Sequence, residues 1–167
     1  VCSWFHTGQA LDRPRDHYFI RDAEAIALGK TLFSRYHAAD EQDEPIPPHN
    51  SESEYQISRA LVGSITRIET YADADFASTD ALPYAVEELR YLVREVRPQG
   101  QYAAAVLLPL VVETISYQYD RIINDPLSRH DLNLRWNAFG LPTHAMTVSY
   151  ARRRTGEDTP PFADPDE

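Results

Sequence analysis

"QYAAAVLLPLVVETISYQYDRIIN", residues 101–124, contains the longest unbroken apolar run of the chain, Tyr102 to Val112. A membrane-spanning helix needs roughly 20 such residues, so this run is about half of a span and no transmembrane segment is expected. Its first half is apolar on every side, with no alternation of apolar and polar residues. That pattern is read as a central, fully buried helix over about 101–124, kinked or split at Pro109 because proline lacks the N–H and clashes with the preceding turn.

The flanking segments are read to match. Phe19, Ala23, Ile26 and Phe33 fall on one face of a helix from Arg21 to Ala38 that Asp22 can cap, with Leu28, Leu32 and Tyr36 on a second stripe. "SESE" at 51–54 has the form of a capping box, and Ile57, Leu61, Ile65, Ile68 and Ala72 follow at helical spacing. Another helix is expected from Asp80 and Pro83 through Leu82, Val86, Leu89, Val93 and Val96, stopped by "RPQG" at 97–100. A short helix through Leu132, Leu134 and Trp136 ends at Gly140. Residues 143–153 are given to a helix, although Met146, Val148 and Tyr150 alternate as in a strand, because no second strand is foreseen to pair with them.

The expected fold class is therefore all-α, a single-domain bundle of five or six helices. The helical domain covers 1–154, including an irregular arm at 1–18 and an acidic, proline-rich loop at 39–51. A mobile acidic tail, 155–167, closes the chain. With 167 residues, 43% of them hydrophobic, a genuine core is expected in one domain.

Charge narrows the function classes. A net charge of −10 repels phosphate backbones, and the one basic cluster, Arg152 to Arg154, runs straight into the acidic tail, so a nucleic-acid partner is not expected. The single cysteine, Cys2, cannot form an internal disulfide. No signal peptide is visible and a soluble protein is expected, with the cytoplasm slightly favoured; a start at Val1 rather than Met fits a processed or excised piece as well as a whole one and leaves localisation open. The six histidines, at 6, 17, 37, 49, 130 and 144, show no zinc-ligand spacing. Phosphate-binding and dinucleotide glycine motifs are absent, so neither metal nor cofactor is expected.

Glu69 is the candidate acid. On a helix it would lie roughly 80° from the centre of the Ile57 to Ala72 stripe, at the edge of the core, where a half-desolvated carboxyl group can serve as a general acid. Asp73 and Asp75 follow and are read as solvating the loop. The segment "IETYADADFAS" at 68–78 and the later "RWNAFG" at 135–140 together resemble goose-type lysozymes and lytic transglycosylases. In that family a Glu followed by Ser or Thr ends a core helix, and a Tyr-Asn-Ala-Gly stretch lines the cleft. The resemblance implies Glu69 as catalytic acid, with Trp136 and Asn137 contacting sugar. The Gly-Leu-Met-Gln-like turn that closes such a site has no counterpart here.

The preferred expectation is a non-catalytic protein-binding or assembly module. It would have a protein partner or self-associate, and Trp4 and Phe5 in the N-terminal arm would be the contact residues. A glycan-cleaving enzyme using Glu69 is the alternative. A helical sensor with a small-ligand pocket near Tyr91, Tyr102, Tyr117 and Tyr119 is a third.

Overall fold

The computed structural model describes residues 1–9, 11, 18–71, 81–119 and 122–153. They form eight strands and one helix: β1 (Cys2–Phe5), β2 (Leu32–His37), β3 (Gln42–Pro45), α1 (Ser51–Ala60), β4 (Ile65–Thr70), β5 (Ala85–Arg97), β6 (Val106–Gln118), β7 (Leu127–Trp136) and β8 (Pro142–Ser149). The expected all-α bundle is overturned. All strands join one sheet in the order β1-β4-β5-β6-β7-β8, and β2 joins it through parallel pairing with β5 while also pairing β3.

The stretch read as a central helix is β6, and Pro109 does not split it. Apolar residues on all sides fit a strand buried on both faces as well as they fit a buried helix, and here they serve the strand. Pro109 stands opposite Val93 of β5, while the pairing of β6 with β7 runs only from Glu113 to Gln118. Its ring thus occupies a half of β6 with one neighbour, the edge position where a sheet tolerates a missing donor.

β5 is the axis of the sheet. β6 flanks it on one side, while β4 and β2 share the other, β4 against Ala85 to Glu88 and β2 against Leu92 to Glu95. Tyr91, Leu92, Val93, Arg94 and Glu95 are consecutively buried, so both faces of this half of β5 are covered. On one face Tyr91 and Val93 pack with Phe33, with Ile57 of α1 and with Leu61, the residue that caps the end of α1. Complete burial of Ile57 and Leu61 contributes roughly 1.5–3 kcal/mol each. On the other face Leu92 packs with Leu110 and Trp136, and farther along Val86, Ile115, Tyr117 and Tyr119 surround Phe19.

α1 is the one expected helix that forms, displaced and shortened. Its cap is Asn50 rather than Ser51: the Asn50 side chain accepts from the Ser53 amide at 2.9 Å, and the Ser53 hydroxyl accepts from the Asn50 amide at 2.9 Å. Gly63, at φ +82, then turns the chain into β4, so Ile65, Ile68 and Glu69 leave the helix. The segment expected as a helix over 21–38 is irregular up to Thr31 and then forms β2. The arm contributes β1, and the acidic loop contributes β3. The helices expected after Asp80 and after "NDPLS" are β5 and β7, and 143–153 is mainly β8.

Candidate functional site

β4 begins with an apolar residue and then points Arg67 and Glu69 inward, where they are 7% and 1% exposed. Residues two apart on a strand share a face, so the two side chains meet, Arg67 Nε donating to Glu69 Oε1 at 2.6 Å. Glu69 Oε1 also accepts from the Phe19 amide at 2.8 Å, Arg67 Nη2 donates to the Phe19 carbonyl at 2.8 Å, and the Tyr71 hydroxyl donates to Glu69 Oε2 at 2.6 Å. Arg67 is further paired with Glu88 across the β4–β5 ladder. The Arg67–Glu69 pair thus takes the place of a strand neighbour for Phe19, satisfying both of its backbone groups.

The same device recurs along residues 18–30, an irregular strap across this face of the sheet. Tyr119 Oη donates to Asp22 Oδ2 at 2.9 Å, Tyr117 Oη accepts from the Ile26 amide at 2.7 Å, and Arg90 Nε donates to the Lys30 carbonyl at 2.6 Å. Burial pushes Tyr117 and Tyr119 above the usual phenol range, and hydrogen bonding to the Asp22 carboxylate pushes Tyr119 further. Burial would raise Asp22, but hydrogen bonds from Arg153, Tyr119 and the Glu24 amide outweigh it and hold the carboxyl below its ordinary value.

Arg90 also begins a chain of polar contacts across three strands. Its Nη1 donates to Glu113 Oε1 at 2.7 Å, Glu113 Oε2 lies 2.8 Å from His130 Nε2, and His130 Nδ1 lies 3.2 Å from the Tyr150 hydroxyl. An open groove of about 770 Å³ lies between strap and sheet. The charged side chains along its wall, Asp22, Arg67, Glu88 and Arg90, are paired with one another or with their neighbours.

A second buried centre lies on β5. Arg94, 1% exposed, donates to both oxygens of Asp43 at 2.8 and 2.6 Å, stacks over Tyr36 at 4.3 Å, and donates to the Asn137 carbonyl at 2.8 Å. Asn137 shapes the β7–β8 turn, its Oδ1 accepting from the Phe139 and Leu141 amides at 2.9 and 3.0 Å.

The structure separates the residues that the lysozyme resemblance put together. Glu69 is in β4, whereas Trp136 ends β7, three strand positions along the sheet, which at about 4.8 Å per step is roughly 14 Å. Trp136 is 6% exposed and packs on Leu92 and Leu110. Asp73, Asp75 and the acidic tail lie outside the described residues. Trp4 packs edge-to-face on Tyr18 at 5.1 Å, and Phe5 keeps 43% of its surface exposed. Arg152 pairs with Asp125 and Arg153 with Asp22, so two of the three clustered arginines serve internal contacts. Among the described residues no group of His, Cys, Asp and Glu is placed to hold a metal ion, and no helix is long and apolar enough to cross a membrane.

Of the charged groups that organise the interior, Arg67, Glu88, Arg94 and Glu113 are not among the sequence-based candidates, and His130 enters there only as one of six histidines without ligand spacing. For Arg67, Glu88 and Arg94 the signal is in "TRIET", "EELR" and "LVREVR", where opposite charges recur within β-rich apolar segments.

The fold is similar to those of several solved toxin assemblies. It matches "TcdB2-TccC3" with a TM-score of 0.78 and 32% identity over 94% of this chain. It matches "TcdB2-TccC3-Cdc42" at 0.77 and 31% over 94%, and the Photorhabdus luminescens Tc holotoxin pore at 0.78 and 32% over 93%. In each case the match spans 7% of the longer chain. No match to the sequence is found among curated proteins. The family model for the insecticide toxin TcdB middle/C-terminal region matches residues 56–167, and the chain belongs to that family.

Proposed function

We propose that this chain is a non-catalytic assembly module, a structural segment of one component of a multi-subunit toxin complex. The observation that carries the reading is the use of its buried charges. Glu69, Arg67, Arg90, Glu113 and Arg94 are each engaged by hydrogen bonds that join strand to strand or strand to strap, and among the described residues they form no converging set of free acid, base and nucleophile. Family membership and the similar solved structures, whose titles name TcdB2 together with TccC3, support the same reading and make other toxin subunits the expected partners. Trp4 and Phe5 on the edge strand β1 are proposed as part of the contact surface, since β1 pairs only β4 among the described residues. The test is to delete this segment from the toxin component and follow complex formation by size-exclusion chromatography. Loss of the complex is expected; full recovery without the segment would overturn the reading.

A further inference from the structure

Independently of the chain's place in an assembly, we infer that the cavity between α1 and the β5–β6 hairpin is a binding site for a small, uncharged phenol. The cavity measures about 270 Å³, compact beside the roughly 300–1,000 Å³ of drug-sized sites. Phe33 of β2, Ile57 of α1 and Leu107 of β6 give it an apolar floor, and Pro98 and Ala105 bound it on the hairpin side. Ligand sites are commonly built this way, as an apolar hollow with a few polar groups that fix orientation.

The hairpin wall is braced from α1. Gln56 Nε2 donates to Gln99 Oε1 at 3.1 Å, and Gln56 Oε1 accepts from the Ala105 amide at 2.9 Å. Gln99 Nε2 in turn donates to the Ala103 carbonyl at 3.3 Å. A hollow held open in advance spares a ligand the cost of ordering it.

The polar groups at the other side of the cavity define what it takes. Glu95 has a side chain only 2% exposed, and its Oε2 accepts from Arg35 Nε and Nη2 at 3.2 and 2.6 Å, so its charge is balanced within the protein and no ionic ligand is called for. Glu95 Oε1 lies 3.1 Å from His49 Nε2. An ionised carboxylate only accepts, so Nε2 carries the proton and Nδ1 of the neutral ring is an acceptor, without a partner among the described residues. The His49 ring also packs edge-to-face on Phe33 at 6.0 Å, next to the apolar floor. Asn50 beside it uses its Oδ1 to accept from the Ser53 amide at 2.9 Å, which leaves its Nδ2 as an open donor. An open acceptor and an open donor on adjacent residues, above an apolar floor, suit a ring whose one polar group both gives and takes a hydrogen bond. A phenol hydroxyl does both, whereas an indole N–H only donates and a carboxylate only accepts.

Calorimetric titration of the intact toxin component carrying this chain with 4-ethylphenol, in parallel for the parent and for Ala105→Trp, tests the site. The added indole fills the cavity, so a binding event present in the parent and lost from the variant is expected. 4-Ethylanisole, which covers the same floor but has no donor, should bind the parent about tenfold more weakly or worse, and 4-ethylphenol should lose as much on His49→Phe with the circular dichroism unchanged. A tyrosine side chain carries the same chemistry as a free phenol, and N-acetyltyrosinamide separates the two sources. Binding as tight as that of 4-ethylphenol upholds the site and assigns it to a tyrosine of a peptide, and weaker binding upholds it for a free phenol. Equal binding of 4-ethylphenol by the parent and a folded Ala105→Trp, equal binding of phenol and ether by the parent, or no binding by the parent overturns the inference and leaves the assembly reading standing. The comparison of phenol with ether uses the parent alone and decides the matter even if a variant fails to fold.

Discussion

Glu69 is 1% exposed yet receives hydrogen bonds from the Phe19 amide, Arg67 and the Tyr71 hydroxyl. An ionised carboxylate costs several kcal/mol to bury, and that cost is offset only when a cation adjoins it and its lone pairs are filled. Both conditions hold, which assigns the side chain to joining β4 and the strap. Glu69→Gln keeps the shape but removes the charge beside Arg67 and puts an NH2 where three donors converge. Breaking a buried pair in this way should cost about 3–5 kcal/mol, read from the urea midpoint. A loss below about 1 kcal/mol would show that the pair is solvated. Peptidoglycan or chitin oligomers incubated with the parent chain should remain uncleaved. Product from the parent but not from Glu69→Gln would restore the glycan-cleaving alternative.

At the level of elements, Arg94 joins three pieces that follow one another far apart in sequence: β5, the β2–β3 hairpin through Asp43, and the β7–β8 turn through the Asn137 carbonyl. Arg94→Lys retains charge but cannot make the two-pronged contact with Asp43 while reaching Asn137, so a loss of about 2–4 kcal/mol in the urea midpoint is expected. Gly140 guards the same hairpin. It sits at φ +82, and a Cβ there would meet Leu110 Cδ2 at 2.8 Å and Leu108 Cδ2 at 2.9 Å. Gly140→Ala should therefore cost about 1–3 kcal/mol and increase amide exchange in β8 before it affects β5. These two centres also show why the fold was only partly legible. A strand with one wet face announces itself by alternation, but β4 turns Arg67 and Glu69 inward, and β5 is buried on both faces around Arg94 and Glu95, so the two-residue period is erased. What remained, Ile57, Leu61, Ile65 and Ile68, or Leu82, Val86, Leu89 and Val93, happened to fit helical spacing. The first of those stripes is half true, since Ile57 in α1 and Leu61 at its C-cap do face the core, and only Gly63 marks where the helix ends. In β8 the alternation of Met146, Val148 and Tyr150 is legible, but it points to a strand only once β7, whose own apolar spacing also fits a helix, supplies the partner. Glu69, expected at the half-desolvated edge of a helical core, is instead 1% exposed on β4, and its partners Phe19 and Tyr71 come from tertiary packing that no local spacing encodes.

For the molecule as a whole, tyrosine hydroxyls connect the layers and are expected to set its alkaline limit. Tyr91 Oη donates to the Ile65 carbonyl at 2.8 Å, Tyr117 and Tyr119 hold the strap at Ile26 and Asp22, and Tyr71 holds Glu69. Burial raises all four above the ordinary phenol value, and in Tyr71 and Tyr119 the hydrogen-bonded carboxylates of Glu69 and Asp22 raise them further. A tyrosine is neutral while protonated, so a raised folded value means that the unfolded chain, whose phenols titrate near pH 10, releases protons first. Below about pH 10 both states keep the proton and the stabilisation is complete; above it the unfolded state binds fewer protons, and stability falls as pH rises toward the folded values. Asp22 behaves in mirror image. Its lowered folded value contributes stability above the unfolded 3.8 that is lost as pH falls through the folded value. The urea midpoint should thus be flat around neutrality and drop steeply above about pH 10, with tyrosinate absorbance from these four of the ten tyrosines appearing only as the chain unfolds. Tyr119→Phe should lower the neutral midpoint by about 1–2 kcal/mol, because Asp22 loses a donor, and make the alkaline drop shallower. If all ten tyrosines titrate together near pH 10 while the sheet persists, the hydroxyls are not what ties the strap and strands into one body.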